Sequence, residues 1–251
     1  MRHIVETGTD IAIIGFFDAA TLPKNYAAQA KADQRGLFAR LSQAGCLWYV
    51  ETGSDGAYLF HFYVEEPLPE LVRKYSEEPK TIPRFQVPSG ELWACGAEYI
   101  SPDPQVGRNF GPEGGLGKYP HMGGSFRIPA GEYEVTVWRT EWPDELIEDK
   151  IKERIGAGPW RKQEALGQTT GALFFLLLIG TFVSVGFALS KATLSLFGPS
   201  TSWCWGVLVL LWAVCIALMR TLKKMETLIP RKEVERDYPN IAVVIKQLLP
   251  A

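Results

Sequence analysis

The sequence predicts an α+β protein with a β-rich, sandwich-like N-terminal domain followed by a two-helix transmembrane hairpin. Two observations lead to this fold class. In residues 1–142, apolar and polar side chains alternate over several short segments, which is typical of strands with one buried face. In residues 165–220, there are two long stretches without a charged side chain. The composition, 47% hydrophobic and 22% charged, excludes a disordered or collagen-like chain.

The N-terminal domain, residues 1–142, is predicted to contain five to seven strands and one helix. The clearest strand is 57–66, where alternate aromatic residues fall on one face and a glycine-bounded turn precedes the strand, as in a hairpin. The other strand candidates are residues 11–17, 46–52, 91–100, 125–128 and 133–139, and the helix candidate is residues 23–43. Short turns between such strands are typical of a β-sandwich or a small α+β domain.

Two further helices are predicted outside this domain. Residues 143–164 are expected to form an amphipathic linker helix and a juxtamembrane segment, because Asp144 and Glu145 complement the positive end of a helix dipole. Residues 221–251 are expected to form a basic cytoplasmic tail with a short helix at 239–249. The apolar face of this tail helix either docks on the N-terminal domain or lies on the bilayer.

The hairpin, residues 165–220, contains two predicted membrane spans at about 171–190 and 203–220. Residues 165–190 form 26 consecutive uncharged positions, and 28 more follow Lys191. Because ~20 apolar helical residues cross a hydrocarbon layer of about 30 Å, each stretch is long enough to span it. The alternative is a pair of buried helices in a soluble protein. It is disfavoured because a soluble helix seldom stays apolar on all sides for about five turns.

Basic residues flank the outer ends of the hairpin and set its predicted orientation. Five lysines or arginines lie between positions 150 and 162, five lie between 220 and 232, and the connection holds only Lys191. Since positive residues stay on the cytoplasmic side, the N- and C-termini are both expected to be cytoplasmic. The N-terminal residues also lack the apolar run of a secretory signal peptide. The predicted location is a multi-pass protein of the membrane, the inner membrane if the protein is bacterial.

Small residues along the predicted spans indicate close helix packing. Gly180, Ser184 and Ala188 share one face of the first span, and Ala213 and Ala217 share one face of the second. These faces are predicted either to form the seam of the hairpin or to support a homo-oligomer. The cores of the spans contain no charged residue and no histidine, which disfavours a transporter or a pump. The hairpin is therefore interpreted as an anchor.

The sequence holds no recognisable catalytic, cofactor or metal motif. The glycine-rich stretch 107–124 contains a Gly-Lys pair at Lys118, but Pro112 and Tyr119 replace residues that a phosphate-binding P-loop requires. The cysteines are not at metal-binding spacing, and His121 has no carboxylate beside it in sequence to orient it as a catalytic base. No catalytic residue, cofactor or metal is therefore predicted. The glycine-rich stretch is interpreted as a surface loop that binds a partner.

Partner binding is predicted at two places in the N-terminal domain. The candidate residues are Glu65, Glu66, Glu70, Glu77, Glu78, Lys118 and His121. The five glutamates lie in a proline-punctuated segment and form either a solvated face or an acidic docking patch for a basic partner. Lys118 and His121 belong to the glycine-rich stretch. Residues 1–142 hold 13 basic and 18 acidic side chains, a balance that argues against nucleic-acid binding.

A compact acidic head, a membrane hairpin and no recognisable chemistry resemble the architecture of immunity and accessory proteins of bacterial toxin and secretion systems. The resemblance implies that the head captures a partner protein. The sequence therefore predicts a membrane-anchored, non-enzymatic binding protein whose partners are the lipid bilayer and an unidentified protein. Two alternatives stay open. One is a membrane-associated enzyme with an unrecognised active site in the head, and the other is an integral-membrane assembly component.

Overall fold

The computed structural model describes residues 1–102, 121–156 and 231–248, together with isolated positions between 158 and 220. The chain divides into two compact units. Met1–Pro143 and Glu235–Ala251 form the first unit, and Asp144–Val234 form the second. The first unit is built from two β-sheets and agrees with the predicted β-rich α+β fold.

The larger sheet has five strands in the order β1 (Arg2–Thr9), β4 (Gly56–Val64), β9 (Ile241–Gln247), β8 (Gly131–Arg139) and β5 (Lys80–Val87). The smaller sheet has four strands in the order β3 (Leu47–Glu51), β2 (Ile13–Phe17), β6 (Glu91–Gly96) and β7 (Gly123–Arg127). Neighbouring strands are antiparallel except β4 and β9, which are parallel. The helices whose bounds the structure describes are α1 (Tyr26–Gln43), α2 (Glu70–Lys74), α3 (Asp144–Ile155) and α4 (Arg231–Glu235), and short 3-10 turns occupy Ala19–Thr21 and Ala97–Tyr99.

The two sheets pack face to face around an aromatic core. Phe60 and Phe62 alternate inward along β4, as their spacing in the sequence predicts, and both meet Phe16 of β2 edge to face. The ring centroids of Phe16 and Phe62 are 5.6 Å apart, and Trp48 of β3 stacks on Phe16 at 5.1 Å. Aromatic contacts of this kind contribute about 0.5–1.5 kcal/mol each beyond the area they bury. The interior of the sandwich is therefore filled by side chains.

A helix covers the outer face of each sheet. α1 packs Leu37 and Phe38 onto the smaller sheet beside Phe17 and Leu47. The helix is interrupted at Asp33, whose backbone angles are not helical (φ −158°, ψ 85°) and whose carboxylate accepts a hydrogen bond from the Gly36 amide at 2.9 Å. On the larger sheet, Leu68 and Val72 from the α2 segment lie against Tyr63 and Val244.

The segment predicted as a tail helix is instead the central strand of the larger sheet. β9 pairs in parallel with β4 and antiparallel with β8, and all five residues from Ile241 to Ile245 are buried. The spacing of Ile241, Val244 and Ile245 fits one face of a helix, but both faces of β9 are covered, so a continuous apolar run suits a strand equally well. Four of these five residues are β-branched, which favours the strand. The domain is thus not complete in residues 1–142.

β8 and β9 are antiparallel neighbours in the sheet, and the segment of chain that connects them contains the whole second unit. The last strand pair is Arg139 with Ile241, and beyond it the Thr140 amide donates to the Asn240 carbonyl at 3.0 Å. The Trp142 indole N–H donates to the Pro239 carbonyl at 2.7 Å, so the two segments remain together where the chain leaves the sheet. Within the second unit, α3 lies where the linker helix is predicted, and Arg154 of α3 pairs with Glu233 of α4 at 2.8 Å.

The predicted transmembrane hairpin is corrected. In the part of the chain that the structure describes, no helix is long and apolar enough to cross a bilayer. The longest described helix is α1, with 18 residues, and it carries charged side chains at Lys31 and Arg35. Residues 166–174 and 176–211, which make up most of the two predicted spans, lie outside the described residues. Hydropathy shows which residues avoid water, but it does not show that they form one continuous helix. The membrane location was inferred from the predicted spans, so it is corrected together with them.

We expect a chain that ends after Trp142 to remain unfolded. Burying one valine or isoleucine contributes about 1.5–3 kcal/mol, so losing the four in β9 removes roughly 8 kcal/mol, comparable to the whole stability of a domain at about 5–15 kcal/mol. Far-UV circular dichroism and amide NMR dispersion measure the outcome. Adding a synthetic peptide of residues 236–248 is expected to restore the folded spectrum. A cooperative unfolding transition for residues 1–142 alone would contradict the central role of β9.

We also expect the first unit to fold without the second. A Gly/Ser linker of ten residues in place of 144–234 spans up to about 33 Å, and the Trp142–Pro239 contact already holds the two cut segments close together. The shortened protein should show one cooperative thermal transition and the near-UV signal of the aromatic core. The matched control carries the same linker and Val243→Asp, which places an unpaired charge at a fully buried position and should prevent folding. A disordered shortened protein would show that the second unit is needed for folding.

Candidate functional site

The outer face of the larger sheet carries a small polar cluster beside β1. Strand alternation places Glu6 on this face together with Arg2 and Ile4, opposite the face that carries Val5 into the core. Glu6 pairs in register with Leu59 of β4, and its side chain is 38% exposed. The sheet therefore holds the Glu6 carboxylate at the surface on a rigid strand.

His121 reaches this carboxylate from the segment that leads into β7. Its Nδ1 is in a very short contact with Glu6 Oε2, and its side chain is 69% exposed. An ionised carboxylate only accepts hydrogen bonds, so Nδ1 carries the proton and donates it. The neighbouring Met122 packs its side chain over Gly8, where a Cβ would lie 2.3 Å from the Met122 sulfur.

The His121 backbone adopts a conformation that side chains rarely occupy. Its φ is +76°, in the left-handed region, where a non-glycine residue costs on the order of 1–3 kcal/mol. Strain of this kind persists only where surrounding contacts maintain it, and it concentrates at functional positions. The Glu6 contact and the β7 strand that begins two residues later are the neighbouring restraints.

Arg236 completes the cluster from the other side. Its Nε lies 3.7 Å from Glu6 Oε1, and its side chain is 59% exposed. Glu6 thus lies between an imidazole and a guanidinium, and we call Glu6, His121 and Arg236 the His121 surface. A second ion pair, Arg2 with Asp237 at 3.9 Å, joins the same two segments of chain. With Nδ1 bound to Glu6, the Nε2 atom of a neutral His121 is a hydrogen-bond acceptor and a proton acceptor.

Beneath the surface, His61 holds the backbone of Arg236. His61 is fully buried on β4, and its Nε2 lies 2.7 Å from the Arg236 carbonyl oxygen. A carbonyl only accepts, so Nε2 carries the proton, and Nδ1 of the neutral ring accepts from the Tyr63 hydroxyl at 3.3 Å. Burial is the main cause that lowers the pKa of His61 to about 4, and the nearby Arg2 guanidinium lowers it further. The Arg236 carbonyl and Asp237 act in the opposite direction.

The five glutamates predicted as a docking patch fall into two groups in the structure. Glu65 and Glu66 are used within the chain: Glu65 Oε1 accepts from the Gln247 amide at 2.5 Å, and the Glu66 carboxylate lies 2.6 Å from the Met1 amine. Glu70 begins α2, and Glu70, Glu77 and Glu78 are all exposed. Only these last three are free to act as the predicted acidic docking patch, which stays a prediction.

The other predicted residues are only partly covered by the structure. His121 is placed in the cluster, whereas Lys118, Gly180, Ser184 and Ala188 lie outside the described residues. Ala213 and Ala217 are described at exposed helical positions. The predicted helix-packing faces stay a prediction.

Three residues of the site, Glu6, Arg236 and His61, are not predicted as site residues from the sequence. Glu6 and Arg236 lie 115 residues before and after His121 in the numbering, and only the folded sheet brings them together. The one sequence signal is the pair of charged residues Arg2 and Glu6, which share a face of the segment that forms β1. That signal is visible only once the segment is known to be a strand.

Other buried polar groups have structural roles. Asp18 is fully buried, and its carboxylate accepts hydrogen bonds from the Ala20 amide, the Ser89 amide and the Ser89 hydroxyl at 2.7–2.8 Å, which ties the start of a 3-10 turn to the β5–β6 connection. Burial raises the pKa of the Cys95 thiol, which keeps it protonated and unreactive. Among the described residues, no group of three or more potential ligands could hold a metal ion.

Comparisons with known proteins add little to this geometry. No protein-family model and no curated protein matches the chain. Among solved structures, it is similar to a chain described as "Crocagin biosynthetic gene J", with 18% sequence identity and a TM-score of 0.40. The similarity covers 60% of this chain and 82% of that chain. At this TM-score, the likeness supports no conclusion about fold or function.

We expect His121→Gly to be more stable than His121→Ala by about 1 kcal/mol, because glycine accepts a positive φ without cost while alanine keeps the strain. Urea denaturation measures the free energy of unfolding of the two variants. Both variants lack the contact with Glu6, so the loss of that contact does not affect the difference between them. The control is the pair Lys31→Gly and Lys31→Ala in α1, where the alanine variant should be the more stable by about 1 kcal/mol because alanine favours a helix. If the alanine variant is the more stable at position 121 as well, His121 is not held in the left-handed region.

Proposed function

We propose that the β-sandwich is a non-enzymatic binding domain that captures a partner protein at the His121 surface. The observation that carries this proposal is the strained, exposed His121 held against Glu6 on a rigid strand. A conformation that costs stability and places a side chain in solvent is better explained by a contact outside the domain than by folding.

The position of the polar groups also supports binding at the exterior. Aromatic and aliphatic side chains fill the space between the sheets, so a partner meets the outer surface of the sandwich. Arginine is enriched at protein interfaces, where its planar guanidinium donates several hydrogen bonds at once. Arg236 supplies such donors on one side of Glu6, and the neutral His121 ring presents its Nε2 acceptor on the other. The exposed Glu70, Glu77 and Glu78 remain a second proposed contact for a basic partner.

An enzyme is the second candidate, and one observation favours it. A histidine whose Nδ1 is bound to a carboxylate presents Nε2 as a general base. Arg236 lies next to the same carboxylate and carries a positive charge that could bind an anionic group. The predicted membrane anchoring, the assembly role of the hairpin and the resemblance to immunity proteins are not carried forward, because each relied on membrane spans.

We expect Arg236→Glu to reduce partner capture roughly tenfold, which corresponds to about 1.4 kcal/mol, because the new carboxylate repels Glu6 and removes the guanidinium donors. The intact chain is immobilised, exposed to extract of its own cells, and the captured proteins are quantified by mass spectrometry. Glu6→Gln should lose the same proteins, and Lys31→Glu, a charge reversal on the far helix α1, should retain them.

His121→Gln separates the two candidate functions. Glutamine still donates a hydrogen bond but does not transfer a proton, so a binding domain should keep its captured proteins within about threefold, whereas an enzyme would lose turnover altogether. If the wild type and the three charge variants capture the same proteins in the same amounts, while all remain folded by circular dichroism, the proposed binding function is wrong.

A further inference from the structure

We propose that His61 is a pH-sensitive positioning residue, which holds Arg236 at the His121 surface in its neutral form and releases it when protonated. The inference deepens the proposed function and rests on it for its biological meaning. Its physical content is a coupling between a buried imidazole and the segment 236–240, which can be measured without any partner.

Within this segment, His61 is the side chain that holds the Arg236 backbone to β4. Both of its ring nitrogens are engaged, one by the Arg236 carbonyl and the other by the Tyr63 hydroxyl. Between Arg236 and Asn240, Asp237 pairs with Arg2, and the Pro239 carbonyl accepts from the Trp142 indole. At the far end is Asn240, whose amide donates to the Leu59 carbonyl at 2.9 Å and whose side-chain oxygen accepts from the Leu59 amide at 2.8 Å. His61 therefore fixes one end of the segment to β4 and Asn240 fixes the other.

The groups around His61 determine which protonation state fits. From β4 it faces Tyr63, and from β1 it faces Ile4 in register, with the charged Arg2 close by. From β9 it is paired with Ala242, and from the segment 236–240 it meets the Arg236 carbonyl and Asp237. Asp237 and the Arg236 carbonyl favour the protonated ring, whereas burial and the Arg2 charge favour the neutral ring. Burial is the largest of these effects, and the pKa of His61 is therefore lowered to about 4.

The sign of the pH effect follows from this balance. When the segment opens, His61 is hydrated and regains its ordinary pKa near 6.5, so the open form binds protons more tightly than the closed form. The stabilisation from closure is complete above about pH 6.5 and is lost as the pH falls towards about 4. Between pH 7 and pH 5, opening should become roughly twentyfold more frequent. Arg236 moves with the segment, so the Glu6–Arg236 pair is broken in the open form.

Hydrogen exchange of the full chain tests the inference at residue resolution. The reporting amides are Asn240, Leu59 and Thr140, whose hydrogen bonds involve Asn240, and the reference amide is Val243 in the centre of the sheet. After correction for intrinsic exchange rates, protection of the reporting amides should fall roughly twentyfold between pH 7 and pH 5, relative to Val243.

The matched variant is His61→Gln, whose amide N–H donates to the Arg236 carbonyl and whose amide oxygen accepts from Tyr63 without titrating near neutrality. In this variant, the ratio of reporting to reference protection should not change with pH. An equal fall in both proteins, or no fall in the wild type, overturns the inference.

A second measurement covers the case in which His61→Gln does not fold. Imidazole ¹⁵N NMR of the wild type should show His61 as a neutral Nε2–H tautomer at pH 6, and a charged ring at that pH would overturn the inference. Neither measurement involves partner capture. The proposed binding function can therefore fail in the pull-down while the His61 coupling is confirmed, and the reverse outcome is equally distinguishable.

Discussion

The structure depends on the pairing of β9 between β4 and β8. Without this strand, the larger sheet would separate into β1–β4 on one side and β8–β5 on the other, because β9 is the only connection by hydrogen bonds between these pairs in the described sheet. β9 also supplies Ile241, Val243 and Ile245 to the space between the sheets and Ala242 and Val244 to the opposite face. One strand of seven residues therefore completes two apolar layers.

The same pairing produces the His121 surface. The register of β9 with β4 fixes the position of the residues just before it, and these include Arg236 and Asp237. β4 is also the partner of β1, so Glu6 is positioned through the same strand. His121 is brought in by the smaller sheet, just before the start of β7. Three distant parts of the chain thus meet through one strand order.

Sequence reasoning captured the parts of the fold whose signal is local. The alternation of Phe60 and Phe62, and of Val135 and Val137, identified inward-facing strands, and the turns beside them identified hairpins. β1 and β5 were not predicted: β1 mixes charged residues and glycine with its apolar ones, and β5 contains Pro83 beside a bulge. The sequence pattern of β9 predicts a helix, because a strand buried on both faces has no alternation of polar and apolar residues.

The candidate site was predictable only in the one residue marked by its local context. His121 stands out beside the glycine-rich stretch, whereas Glu6 and Arg236 are ordinary charged residues until the sheet order is known. The same applies to His61, whose strand position was predicted but whose contact with the Arg236 carbonyl depends on β9 being a strand. Long-range register is set by the global arrangement of strands, and a single sequence carries little information about it.

The placement of β9 also affects how the protein is synthesised. About a hundred residues separate β8 from β9 in the chain, so at about 5–20 residues per second a ribosome needs roughly 5–20 seconds to make the second strand after the first. Throughout that interval, β4 and β8 have emerged with facing edges unpaired, and unpaired apolar edges recruit other strands. The nascent chain therefore passes through a period of exposure that a sandwich with a short hairpin would avoid, and exposed strand edges of this kind favour aggregation during synthesis.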